Sequence, residues 1–129
     1  MNEDTKTYIL KWIEKANNDY LSAKRLVEYK PVILDTACFH CQQAIEKYLK
    51  AYLAYLDVDF PKTHDLNTLL KLIIEADTSF KEIDFKDLSQ FAVGIRYPDS
   101  YLIPEPDDVV FYIKMAEEVK SDILSKIKL

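Results

Sequence analysis

Residues 33–57 read ILDTACFHCQQAIEKYLKAYLAYLD, and this stretch predicts a long helix. Its apolar side chains recur every three or four residues, so a helix places them in one continuous arc. These residues are Ala37, Cys38, Cys41, Ala44, Ile45, Tyr48, Leu49, Tyr52 and Leu56. On the same helical wheel Gln43, Lys47 and Lys50 form a stripe on the opposite side, and His40 lies at the border. The pattern therefore predicts a buried face and a solvated, basic face.

The segments on either side of this helix predict further helices with apolar stripes of the same period. Their ranges are residues 5–29, about 65–76, about 84–95 and about 106 to the end. Pro31 separates the first two helices, because its ring cannot continue a helix. Residues 97–106 contain three prolines and predict a rigid, non-helical connection. We therefore expect a single all-α domain over residues 1–129, an up-and-down four-helix bundle with an extra short helix.

The composition excludes several classes of protein. The 129 residues include one glycine, which excludes Gly-rich phosphate loops and dinucleotide-binding fingerprints. The net charge is −5, whereas a protein that coats nucleic acid needs a positive surface. We therefore expect no bulk nucleic-acid binding. No apolar run reaches the roughly 20 residues that span a bilayer, so we expect no membrane span and a cytoplasmic location.

The spacing of Cys38 and Cys41 is that of a metal or redox motif, and we interpret it as structural. A structural zinc site needs four ligands, and the sequence has no second cysteine pair. A redox pair of this spacing lies at a helix N-terminus, whereas these cysteines lie inside a predicted helix. We expect two reduced, metal-free thiols in the core, and no metal or other cofactor in the protein.

The two histidines, His40 and His64, each have a structural and a functional interpretation. In the structural one, Thr63 or His64 caps the third helix and His40 closes the polar edge of a helix interface. In the functional one, both histidines join Lys47 and Lys50 in binding the phosphate of a nucleotide. Both interpretations stay open at this stage.

Residues 94–99, GIRYPD, contain the only glycine and one of two arginines. Gly94 permits close approach of another backbone, and Pro98 stops the helix. The guanidinium of Arg96 suits a phosphate or carboxylate, and Tyr97 offers a ring for stacking. An arginine at the end of a helix is also favoured by the helix dipole, which is the structural alternative. We predict that Arg96 and Tyr97 bind phosphate or nucleotide.

Four motifs in this order resemble the HEPN domain family of prokaryotes. They are Trp12-x3-Ala16-x2-Asp19-Tyr20-x2-Ala23, residues 37–51 (ACFHCQQAIEKYLKA), residues 62–66 (KTHDL) and residues 96–99 (RYPD). The resemblance spans nearly the whole chain. It implies a homodimeric helical bundle whose partner is a minimal nucleotidyltransferase, in a pair of the toxin–antitoxin type.

Many active members of that family are metal-independent ribonucleases with an Arg-x4-6-His motif at the dimer interface. By resemblance the arginine here is Arg96, and the histidine positions hold Tyr101, Leu102 and Ile103. Without that histidine the motif lacks a general acid or base, and a tyrosine is a poor substitute at neutral pH. We therefore expect a catalytically degenerate module that binds a nucleotide or a partner. The alternative is a ribonuclease toxin with a divergent site that uses Arg96 with His64 or Tyr101.

Aromatic residues near the fourth predicted helix support the expectation of a homodimer. Phe91, Tyr97 and Tyr101 are more aromatic surface than a small bundle core can hold. We expect these side chains to pack against a second copy of the chain.

Overall fold

The computed structural model describes residues 1–92 and 103–129, and these ranges contain helices and no strands. The elements are α1 (Glu3–Glu28), α2 (Leu34–Tyr55), α3 (Leu66–Ala76), a 3-10 helix (Leu88–Ala92) and α4 (Pro106–Lys126). The predicted fold class, an all-α helical bundle, is confirmed. Among the described helices, none is both long and apolar enough to cross a membrane.

The first two helices form a hairpin that breaks where the sequence predicts. The side chain of Asn2 caps α1 by accepting a hydrogen bond from the backbone N–H of Thr5, at 2.8 Å. Helix α1 ends before Pro31, and α2 begins three residues after it. The backbone N–H of Ile33 donates to the carbonyl oxygen of Leu26 at 3.1 Å and closes the connection.

Helix α2 is the centre of the fold, because every other described element contacts it. Its predicted apolar arc is buried, except that Leu56 is half-buried. The predicted solvated face is wrong: Lys50 is 7% exposed, and Gln43 and Lys47 are half-buried. A helix that is surrounded by neighbours has no side left for a solvated stripe. The polar residues of α2 therefore require partners inside the protein.

The helix predicted over residues 84–95 is much shorter in the structure. Of residues 84–92, only Leu88–Ala92 is helical, and it forms a 3-10 helix. Residues 93–95, the last three of the predicted helix, lie outside the described residues. The Asp84 side chain accepts a hydrogen bond from the backbone N–H of Lys86 at 2.9 Å, and Lys86 has a φ of 53°. This left-handed residue cannot belong to an α-helix, so the helix starts later than predicted.

The start of α3 has a different cap from the predicted one. The side chain of Asp65 accepts a hydrogen bond from the backbone N–H of Asn67 at 3.0 Å and is the cap. The prediction that Thr63 or His64 caps this helix is therefore wrong. A short carboxylate at this position reaches the free backbone donors, while the ring of His64 turns toward α2.

Helix α4 begins at Pro106, as predicted. The Asp108 side chain accepts a hydrogen bond from the backbone N–H of Glu105 at 2.9 Å, which fixes the first turn. The predicted apolar stripe is confirmed for its buried members Val109, Tyr112, Ala116, Val119 and Ile123.

Phe91 lies in the core of a single chain, contrary to the prediction that it packs against a second copy. Its side chain is 4% exposed, and its ring meets that of Tyr112 edge-on, with centroids 6.0 Å apart. The 3-10 helix packs against α2, so the core of a single chain has room for the ring of Phe91, which the sequence argument did not expect. The other two aromatic residues of that argument, Tyr97 and Tyr101, lie outside the described residues.

Candidate functional site

Two clusters of partly buried polar side chains, most of them ionisable, lie along α2. The Glu46 cluster consists of Gln42, Glu46, Lys50 and His64, and the Asp19 cluster consists of Asp19, His40 and Lys47. The structure thus sorts four predicted phosphate-binding residues into two pairs. Each pair is one histidine and one lysine that share a carboxylate.

Glu46 is 3% exposed, and its carboxylate accepts three side-chain hydrogen bonds. Lys50 Nζ donates to Oε2 at 2.9 Å, and Gln42 Nε2 donates to Oε1 at 3.1 Å. His64 Nδ1 donates to Oε1 at 2.9 Å. The Gln42 amide also donates to the backbone oxygen of His64 at 2.9 Å, which joins the α2–α3 connection to the cluster. A charge can stay buried here because its oxygens are paired and hydrogen-bonded.

His64 is the member of the Glu46 cluster that solvent reaches, because its side chain is 59% exposed. An ionised carboxylate only accepts hydrogen bonds, so the pairing with Glu46 places a proton on Nδ1 of the imidazole. The second ring nitrogen, Nε2, then accepts a proton or a hydrogen bond when the ring is neutral and donates one when it is charged. The pair Glu46–His64 therefore holds an exposed imidazole in one tautomer and one orientation.

Lys50 serves the interior of the protein. Besides its contact with Glu46, its ammonium lies 5.5 Å from the ring centroid of Trp12 and 5.9 Å from that of Phe60. Two aromatic faces and a carboxylate surround the charge, which stabilises it at 7% exposure. The indole N–H of Trp12 is buried and has no hydrogen-bond partner within the described ranges. Lys50 lacks the exposed ammonium that its predicted role as a phosphate anchor requires.

The Asp19 cluster joins α1 to α2. His40 Nδ1 donates to Oδ1 of Asp19 at 2.8 Å, and Lys47 Nζ donates to Oδ2 at 2.5 Å. Burial alone would raise the pKa of Asp19, but the hydrogen bonds from His40 and Lys47 outweigh burial and lower it. His40 therefore closes the edge of the interface between α1 and α2, as its structural interpretation expects, while its binding of phosphate stays a prediction. Its side chain is 26% exposed and that of Lys47 is 21% exposed.

The predicted site residues Arg96, Tyr97 and Tyr101 lie outside the described residues. The 3-10 helix that precedes them contacts the start of α3. There Ser89 Oγ accepts a hydrogen bond from the backbone N–H of Leu66 at 3.1 Å. This bond fixes the chain seven residues before Arg96 next to the segment that carries the exposed imidazole of the Glu46 cluster.

Cys38 and Cys41 are free thiols in the core, as predicted. Burial raises the pKa of Cys38 to about 12 and also raises the pKa of Cys41. Both thiols therefore stay protonated at neutral pH, which makes them poor nucleophiles and poor metal ligands. Across residues 1–92 and 103–129, no group of three or more His, Cys, Asp or Glu side chains is arranged to hold a metal ion. That the protein holds no metal stays a prediction.

Three residues of these clusters, namely Asp19, Gln42 and Glu46, were not predicted from the sequence. A signal for two of them exists, because Gln42, Glu46 and Lys50 follow one another at intervals of four residues and so form one row on α2. A row of polar residues on a helix that is otherwise apolar indicates that these side chains are buried and form hydrogen bonds inside the protein. Asp19 has no such local signal, since its partners lie on another helix.

A family model described as the HEPN domain matches residues 9–126 of the chain. The match runs from the first turns of α1 to the last residue of α4 and includes both clusters. No curated protein and no solved structure gives a significant match to the chain.

Proposed function

The chain belongs to the HEPN domain family, and on that basis we propose that it is a non-catalytic module that binds a nucleotide or a similar phosphate-bearing ligand. The observation that carries this proposal is the exposed imidazole of His64, which the buried carboxylate of Glu46 holds through Nδ1. A protonated imidazole with a fixed orientation donates a charge-assisted hydrogen bond to phosphate. The proposed second anchor is the guanidinium of Arg96, which binds phosphate in a bidentate manner.

The length of the chain allows both anchors to share one ligand. Seven residues separate Ser89 from Arg96, and an extended chain spans roughly 3.3–3.6 Å per residue. A seven-residue stretch can reach up to about 25 Å, and the Ser89 hydroxyl is bonded to the backbone two residues after His64. This span permits contact with a ligand at His64 and does not require it, so the experiment below tests both residues.

The charge distribution favours a small ligand over a polymer. The chain has a net charge of −5, and the two lysines of α2 that the sequence offered as phosphate anchors are paired with Asp19 and Glu46. Binding to a nucleic-acid backbone needs several free cationic side chains along one face. A ligand with one or a few phosphates needs only the pair His64 and Arg96.

The proposal includes two partners and a location. We propose that the module works in the cytoplasm as a homodimer and with a minimal nucleotidyltransferase, as in a toxin–antitoxin-type pair. Support for the dimer comes from exposed apolar side chains that flank the start of α4: Ile103 is 81% exposed, Val110 68% and Phe111 47%. Light scattering at micromolar concentration tests the dimer, and a monomeric mass would exclude it.

The binding proposal is tested by calorimetric titration of the protein with ATP, GTP and pyrophosphate. We expect Arg96→Ala and His64→Gln each to weaken binding by about tenfold or more, as for the loss of a charge-assisted hydrogen bond. Arg96→Lys should restore binding only in part, because an ammonium lacks the bidentate geometry. The matched control is Lys15→Gln, which removes an exposed cation of α1 that belongs to neither cluster. Equal affinity in the parent, Arg96→Ala and His64→Gln would contradict the proposal.

The same imidazole also favours a second function, that of a metal-independent ribonuclease. A histidine that a carboxylate holds through Nδ1 and whose side chain is 59% exposed has the geometry of a general acid or base. In this alternative His64 replaces the histidine that the Arg-x4-6-His motif lacks, with Arg96 or Tyr101 as its partner. Incubation of the parent with RNA in excess EDTA separates the two functions, and we expect no cleavage. Cleavage that is lost in both Arg96→Ala and His64→Gln would establish the second function instead.

A further inference from the structure

A separate cavity of about 440 Å³ lies where α1 ends and α2 begins. Its polar lining consists of Ser22, Arg25, Thr36 and His40, and its apolar lining includes Tyr29 and Ile33. A volume of this size is within the range of small-molecule sites. None of these residues belongs to the Glu46 cluster, so the cavity is distinct from the site proposed above.

The charge of this cavity differs from that of two other cavities, one beside the start of α1 and one against α4. Arg25 lines it, and no carboxylate does. The cavity beside the start of α1 is lined by Asp4, Asp57 and Asp59, without a cation. The cavity against α4 is lined by four acidic residues and two lysines. In a chain with a net charge of −5, a lining with a cation and no acid is complementary to an anion.

The polar groups of the cavity are available to a ligand. Arg25 is exposed and forms no ion pair with any residue in the described ranges. His40 uses Nδ1 to donate to the buried carboxylate of Asp19, so Nε2 is the ring nitrogen left for a ligand. The hydroxyl of Ser22 is a further donor. The hydroxyl of Thr36 donates to its neighbour Asp35 at 3.4 Å, which is a long contact.

The apolar side of the cavity is unusually exposed for its residue types. Tyr29 is 70% exposed and Ile33 is 45% exposed, and both stand beside the cationic side chain of Arg25. A flat ring placed against them removes apolar surface from water while an attached anion reaches the guanidinium. The two halves of the lining therefore select a ligand with a ring at one end and an anion at the other.

We propose that this cavity is a binding site for a small aromatic phosphomonoester, with its phosphate on Arg25 and its ring against Tyr29 and Ile33. The phosphate accepts hydrogen bonds from the guanidinium, from the Ser22 hydroxyl and from Nε2 of His40 when the imidazole is protonated. This proposal does not depend on the function proposed for His64 and Arg96.

The test is a titration with phenyl phosphate, followed by the backbone amide signals of isotope-labelled protein. We expect saturable shifts that centre on the connection between α1 and α2. Arg25→Gln should weaken the affinity by about tenfold or more, as for the loss of a charge-assisted pair. Lys15→Gln removes one charge from the same helix about 15 Å away and should leave the affinity unchanged.

Two further arms separate the halves of the ligand and the two proposed sites. Tyr29→Ala should weaken the binding of phenyl phosphate without changing the response to inorganic phosphate, because only the contact with the ring of the ligand is lost. His64→Gln should leave phenyl phosphate binding intact, which distinguishes this site from the one in the Glu46 cluster. Absence of saturation in the millimolar range, or an affinity that Arg25→Gln and Lys15→Gln change equally, would overturn the proposal.

Discussion

The most informative perturbation is Glu46→Gln, which removes one negative charge from the core and nearly preserves the shape of the side chain. The Glu46 and Lys50 side chains are 4% and 8% exposed, and their charged atoms lie 2.9 Å apart. After the substitution the ammonium of Lys50 keeps its aromatic neighbours but loses its counter-ion. An unpaired charge in a dry environment is the costly outcome, whereas the loss of shape is small.

The expected size follows from the burial of the pair. Removal of one partner from a buried ion pair costs about 3–5 kcal/mol of the free energy of unfolding. The entropy of unfolding near 60 °C is about 2.1 cal/mol/K per residue, and the chain has 129 residues. The thermal midpoint of Glu46→Gln should therefore fall by about 11–18 °C. Removal of both charges in Glu46→Gln with Lys50→Met should be less destabilising than Glu46→Gln alone, because no unpaired charge remains.

Calorimetric melting of the parent and the variants at pH 7 measures these shifts. The matched control is Glu3→Gln, which removes the same charge from an exposed pair with Lys6, where the side chains are 88% and 36% exposed. An exposed pair contributes about 0.2–1 kcal/mol, so the control should move the midpoint by less than about 4 °C. A shift for Glu46→Gln no larger than that of Glu3→Gln would refute the reasoning. The reasoning would also be refuted if the double variant lost as much stability as Glu46→Gln and Lys50→Met lose together when each is measured alone.

Three other predictions concern the rest of the core. Burial acts to raise the pKa of Asp19, but hydrogen bonds from its two cationic partners outweigh burial and lower the pKa. The Asp19 carboxylate therefore contributes its full stabilisation of the fold above the unfolded pKa, and this contribution is lost as the pH falls through the folded pKa. Asp19→Asn should lower the free energy of unfolding by about 1.5–3 kcal/mol at pH 7. In urea unfolding, the variant should also lose less stability than the parent below about pH 4, and an unchanged decline would contradict this. Because burial raises their pKa values, Cys38 and Cys41 should react with a thiol reagent only as fast as the chain unfolds, and rapid labelling of the native protein would show otherwise. Phe91 is 4% exposed and Phe111 is 47% exposed. In denaturant unfolding, Phe91→Ala should therefore lower the free energy of unfolding by about 3–5 kcal/mol, and Phe111→Ala should lower it by under about 1 kcal/mol. Equal losses would place Phe91 outside the core.

Helix positions followed from the sequence wherever the apolar period was long and a proline or a cap marked its end. Pro31 and Pro106 set the end of one helix and the start of another, because the ring of proline acts on the local backbone alone. The same reasoning failed at residues 84–95. There the side chain of Asp84 captures the backbone N–H of Lys86, and a local turn of that kind competes with a helix without altering the apolar period.

The sequence by itself determined the helical class, the resemblance to the HEPN family and the burial of Cys38 and Cys41. The helical class and the burial of the two cysteines depend on spacing within a segment, and the resemblance depends on motifs in order along the chain. Both kinds of pattern are visible in the sequence. Only the tertiary structure decided that His64 is held by Glu46 and that Lys50 is an internal counter-ion. The contact of His64 with Glu46 joins residues 18 positions apart, and the burial of Lys50 arises because neighbouring elements surround α2. A helical wheel describes one helix in isolation, whereas the ionisation and exposure of its polar residues depend on what the other helices place against them.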